Sequence, residues 1–136
     1  MNDNGSNSWG IAFSRISHLI SVLGSHRNLT GVRRHDDFIF EADRTRQGDH
    51  LTIACMDEYS AGVEFVMKVL DAFPSVNVIY VGGNWNGYTE EALEFCKYRH
   101  IGIFRGAEII PALFTDDFWN YDKLDADGNS TRGRGP

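Results

Sequence analysis

Residues 76–110 constrain the fold more than any other part of the chain. They read VNVIYVGGNWNGYTEEALEFCKYRHIGIFRGAEII: an apolar run, a glycine-rich turn, an amphipathic stretch, a second apolar run and a further helical stretch. The first run, 76–81, is apolar apart from Asn77, the pattern of a strand covered on both faces by helices. Thr89 is placed to cap a helix over 90–98, and Glu90 and Glu91 suit the positive end of its dipole. A strand over 101–104 follows, and residues 107–113 form a closing helix or turn interrupted by Pro111. Two strands joined through a helix need a crossover, so this half predicts parallel pairing.

Upstream, Ile16, Leu19, Ile20 and Leu23 recur at helical spacing and predict a helix over 9–23, ended by Gly24. Residues 31–42, with Phe38-Ile39-Phe40, and residues 49–56, where Leu51, Ile53 and Cys55 alternate with Thr52 and Ala54, predict two strands joined by a turn over 43–48. Val63, Val66, Met67 and Leu70 predict a helix over 60–73, stopped by Pro74. The resulting order of elements predicts a single α/β domain: a mixed sheet with a parallel half, sandwiched by helices on both faces.

With 136 residues, the chain can bury a core without metal or disulfide help. The folded unit is expected over 9–121. Residues 1–8 lack an apolar anchor and 122–136 are polar and glycine-rich, so both are expected to be flexible. No window reaches the ~20 apolar residues of a membrane span, and the first residues lack the pattern of a signal peptide, so a cytoplasmic protein is expected. Cys55 and Cys96 sit in apolar settings that suit buried reduced thiols. The net charge of −6 argues against a surface that attracts phosphate everywhere. Any nucleic-acid contact then needs a local basic patch.

Three features combine over residues 31–113. Asp36-Asp37 stand just before Phe38-Ile39-Phe40, Gly87-Tyr88-Thr89-Glu90-Glu91 lead into an acidic helix, and 101–110 supply a last strand and helix. Together they resemble Mrr-like members of the restriction-endonuclease-like (PD-(D/E)XK) superfamily. The resemblance implies a restriction-endonuclease-like sandwich in which acidic residues hold Mg2+ or Mn2+ and a lysine orients the nucleophile. It places Asp37 where the family has its metal-binding aspartate. It also places Ala54-Cys55-Met56 where an acidic residue and a lysine should flank a middle residue, and alanine and methionine can do neither job. Asp57 and Glu58 follow at once, and Lys68 lies one turn after Glu64 on the next helix. A migrated set would therefore use Asp37, Asp57, Glu58 and Lys68, with Asp37 and Asp57 on the metal. Glu64 and Lys68 also fit an ordinary surface pair four residues apart.

Other constellations carry two readings each. The loop 81–87 sits where phosphate-cradling loops sit but matches neither GxGxxG nor GxxxxGK[ST]. Its alternative is a tight turn displaying Trp85 to a partner. His35 beside Asp36-Asp37 and His50 beside Asp49 converge as metal ligands if the hairpin pairs them, or are simply solvated. Arg33, Arg34, Arg44 and Arg46 form a candidate patch for phosphates, or pair with Asp36, Asp37, Glu41 and Asp43. Asp116 and Asp117, followed by Phe118, Trp119 and Tyr121 and by Asp122, Asp125 and Asp127, suit docking on a basic partner, or cover a sheet edge.

These readings point first to a catalytically degenerate nuclease-like domain that acts as an accessory module, binding nucleic acid or protein without a cofactor. An active Mg2+- or Mn2+-dependent nuclease with a migrated lysine is the alternative. A small acidic immunity or anti-defence protein that neutralises a basic partner is the third.

Overall fold

The computed structural model describes residues 9–122. Helix α1 spans Phe13–Gly24 and buries Ile16, Leu19 and Leu23, three of the four positions expected from the spacing. Strands β1 (Leu29–His35), β2 (Ile39–Arg44) and β3 (His50–Cys55) then form an antiparallel meander. After a two-residue strand β4 (Ser60–Ala61) come α2 (Val63–Ala72), β5 (Val78–Tyr80), β6 (Gly87–Tyr88), α3 (Glu90–Tyr98), β7 (Gly102–Phe104) and the short α4 (Ile109–Ala112). The main sheet has five strands in the order β1-β2-β3-β5-β7, with β3, β5 and β7 parallel. The chain is therefore an α/β protein with a mixed sheet, as the sequence predicts.

Two departures are instructive. Residues 31–42 form two strands rather than one. The chain reverses at Asp36 and Asp37, both in the left-handed region with φ of 50° and 70°, a conformation that Asp tolerates better than most residues. The expected two-strand hairpin is thus three strands. The second departure lies at the start of the expected helix over 60–73. Ser60 and Ala61 are extended and pair in parallel with Gly87 and Tyr88, and Gly62 begins the helix.

The parallel half positions everything that follows. Cys55 pairs with Tyr80, and Tyr80 with Phe104, so three strands end level at one rim. The pairing runs on past the strands, with Met56 N–H donating to the Tyr80 carbonyl at 2.7 Å and Val81 N–H to the Phe104 carbonyl at 2.9 Å. Helix α1 packs on β1 and β3, and the Cys55 thiol faces the Arg15 carbonyl. Two crossovers run in the same direction along the sheet, which puts α2 and α3 on one face, and those helices touch each other. The core centres on the strands: Leu51, Ile53, Ile79 and Ile103 are fully buried. No helix among the described residues is long and apolar enough to cross a membrane.

Candidate functional site

The rim where β3, β5 and β7 end is the natural place for a site, because loops leaving parallel strands gather there and the strand ends leave a crevice. Three segments meet at it: 56–59 after β3, 81–86 after β5 and 105–108 after β7. Asn86 holds the middle loop. The residue is 8% exposed, and its side chain donates to Asp57 Oδ1 at 2.7 Å and to the Val81 carbonyl at 2.8 Å. Gly82, at φ 122°, is what permits this, since a Cβ there would stand 2.1 Å from Asn86 Nδ2. Gly106 N–H donates to the Gly82 carbonyl at 2.8 Å and ties the third segment to the second.

Arg15, from the first turn of α1, reaches over the rim. Its guanidinium lies 3.6 Å from Asp57 Oδ1 and packs on Gly83, whose Cβ, if present, would sit 3.0 Å from Nη1. The Nε of Arg15 is buried and takes no acceptor among the described residues. Tyr80 and Cys55 lie beneath it. Burial raises the Tyr80 hydroxyl pKa, with Arg15 partly offsetting the effect. Burial likewise pushes the Cys55 thiol up to about 12, so it is not a nucleophile. Trp85 stands out of the loop at 78% exposure.

The residues singled out in the sequence are distributed unevenly about this rim. Asp57 is on it, engaged by Arg15 and Asn86. Glu58 is half-buried beside it, its N–H donating to the Val81 carbonyl at 3.0 Å. Asp37 is 2% exposed, and its carboxylate accepts from Arg34 Nη1 at 3.0 Å. Lys68 is directed elsewhere, its ammonium 4.8 Å from the centre of the Trp9 ring. Ala54 and Met56 are fully buried and belong to the core. No three His, Cys, Asp or Glu side chains among the described residues converge as a metal-binding group.

The arginine patch does not stay together. Arg34 faces Phe40 and Arg44 faces Leu29 across the same pair of strands, so four residues of extended chain, about 13 Å, separate their positions. Arg44 is withdrawn altogether at 2% exposure. Nε and Nη2 grip both oxygens of Asp49 at 2.8 Å, Nη1 reaches the Thr115 carbonyl at 2.7 Å, Nη2 reaches the Asp116 carbonyl at 3.1 Å, and the plane covers Phe118. This arginine fastens the C-terminal segment to the hairpin and is not available to phosphate. Arg33 and Arg46 remain exposed, and Arg34 is half-buried.

Among the described residues of the acidic and aromatic segment, the rings turn inward and the acids stay outside. Phe118 is buried against β7 and Trp119 stacks on His100 at 4.4 Å. Asp116 and Asp117 stay exposed, with Asp116 accepting from Gln47 at 2.9 Å. Asp125 and Asp127 lie outside the described residues. His35 and His50 do converge across the hairpin, though on Glu41 rather than on Asp37 or Asp49. Sequence reasoning missed Arg15 and Asn86, the two residues that hold Asp57 at the rim. The available signals were a lone arginine on an amphipathic helix and a second asparagine in a glycine loop, both too common to stand out.

Comparison with known protein families, characterised proteins and solved structures finds no match for this chain.

Proposed function

We propose that this chain is a catalytically degenerate, restriction-endonuclease-like domain, resident in the cytoplasm, that works as an accessory module and binds nucleic acid or protein through the strand-end rim. The observation that carries the reading is the burial of Ala54 and Met56. The two positions that the family gives to a metal ligand and a lysine are core positions here, at 0% exposure. The order helix, three-stranded meander, helix, parallel strand supports the family likeness. The neighbouring Asp57 is held by Arg15 and Asn86, which suits a structural carboxylate. Trp85 and the exposed Tyr59 offer rings at the same rim, and exposed rings beside a cation suit stacking on bases or docking into a pocket.

The test combines binding and cleavage. The purified chain is titrated with Mg2+ and Mn2+ by calorimetry and incubated with single- and double-stranded DNA and RNA, beside Asp37→Ala and Trp85→Ala. Retention of a nucleic acid or of a co-purifying protein, lost in Trp85→Ala and without cleavage, supports the reading. Metal-dependent cleavage abolished by Asp37→Ala establishes the active nuclease in its place.

A further inference from the structure

Beside the rim, the 105–108 segment, α4 and Tyr121 enclose a groove with a cavity of about 620 Å3, within the usual range for small-molecule sites. Two opposite charges line it, Arg105 and Glu108, and each is anchored by one end. Arg105 donates from Nη1 to the Asn84 carbonyl at 2.9 Å and to the Asn86 carbonyl at 3.4 Å. Its Nε and Nη2 meet no acceptor among the described residues. Glu108 Oε1 accepts from the Tyr88 hydroxyl at 2.7 Å and from the Arg105 backbone N–H at 3.0 Å. Its Oε2 takes no donor among the described residues. Three residues apart in one groove, the two side chains form no ion pair with each other.

That arrangement is selective. The Nε–Nη2 edge of a guanidinium presents two parallel donors that match a carboxylate, and the fixed Nη1 keeps the fork from wandering. A plain anion gains Arg105 and meets repulsion from Glu108, and a plain cation meets the reverse. A molecule carrying both charges meets a complement to each. Ile110, which is 42% exposed, with Pro111 and Tyr121, gives the groove an apolar wall.

We propose that this groove binds a zwitterionic small molecule, a free α-amino acid with an apolar or aromatic side chain. Its carboxylate sits on the Arg105 fork, its ammonium on Glu108 and its side chain on Ile110, Pro111 and Tyr121. The site lies beyond the carboxyl ends of β5 and β7, where open α/β sheets hold their ligands. It stands on its own residues and does not depend on the nuclease-like reading.

Calorimetry on the full chain tests it, with L-leucine, L-phenylalanine and L-tryptophan as probes, beside their N-acetyl and amide derivatives and inorganic phosphate. At least one free amino acid is expected to bind saturably. Both capped forms, each lacking one charge, are expected to bind at least about tenfold more weakly, since a charged hydrogen bond is worth that much or more. Glu108→Gln keeps an acceptor for Tyr88 and removes the charge, while Arg105→Lys keeps the charge and removes the fork. Each is expected to weaken binding about tenfold while the chain stays folded. If a variant fails to fold, the capped ligands on the native chain still decide. The proposal is overturned if no free amino acid binds saturably by ~10 mM, well past a weak 1 mM site, or if phosphate or a capped form binds as tightly as the free one.

Discussion

His35 and His50 donate to the two oxygens of one carboxylate. His35 Nε2 lies 2.9 Å from Glu41 Oε2, and His50 Nε2 contacts Glu41 Oε1 from the other side. Each ring has a second acid at its other nitrogen, with Asp36 at 3.0 Å from His35 Nδ1 and Asp43 at 2.8 Å from His50 Nδ1. An ionised carboxylate can only accept, so a ring held between two of them satisfies both when it is an imidazolium with both N–H groups. The result is a charged ladder, Asp36–His35–Glu41–His50–Asp43, laid across the three antiparallel strands.

Stability should therefore peak in mildly acidic solution. The hydrogen bond to Glu41 raises the His35 pKa and that to Asp43 raises the His50 pKa, both against some burial. Burial works to raise the Glu41 pKa, but hydrogen bonds from His35, His50 and Thr52 hold it below its ordinary 4.5. The histidine contribution is fully present below the ordinary 6.5 and is lost as pH rises through the raised values. The Glu41 contribution is present above 4.5 and is lost as pH falls through its lowered value. The thermal midpoint is expected to be highest between 4.5 and 6.5 and to decline above that window. NMR titration of Glu41→Gln should bring both histidines back towards 6.5. Unchanged midpoints there would refute the ladder.

Arg44→Lys is expected to destabilise the fold by about 2–4 kcal/mol, as loss of a buried hydrogen-bond network does. Lysine keeps the charge but cannot span Asp49 and the Thr115 and Asp116 carbonyls at once. Urea denaturation measures the loss. A change under about 0.5 kcal/mol, typical of surface sites, would show that the segment is fastened by other contacts.

Gly82→Ala is expected to cost about 1–3 kcal/mol, because it adds an overpacked methyl to a left-handed position. Its Cβ would collide with Asn86, so the loop carrying Trp85 should shift as well. Trp85→Ala, by contrast, should stay within about 0.5 kcal/mol of the native chain. Comparing the two by thermal unfolding and tryptophan fluorescence separates the scaffold of the rim from its displayed ring.

The thiol of Cys55, raised to about 12 and buried, should resist Ellman's reagent at pH 8 in the native state and react at once in denaturant. The buried Cys96 should behave alike. Rapid native labelling of either would show that the core opens readily at that point.

Local sequence determined the elements whose reasons are local. The spacing of Ile16, Leu19 and Leu23, the Thr89 cap and the apolar run before Gly82 each act within a few residues, and each produced its helix or strand. Thr89 does accept from the Ala92 N–H, at 3.0 Å. The turn at Asp36-Asp37 was hidden because two aspartates read equally well as acidic ligands and as residues that tolerate positive φ. Tertiary structure alone decided which charges are available. Arg44 and Arg46 are indistinguishable in sequence, yet one is buried on Asp49 and the other is exposed, because Arg44 ends β2 where the C-terminal segment returns to meet it, while Arg46 lies in the turn beyond. The same holds for Arg105 and Glu108. Their roles depend on carbonyls at Asn84 and Asn86 and a hydroxyl at Tyr88, contributed by another loop. Periodicity records which way a side chain faces its own element, whereas a site depends on which distant groups the fold carries to it.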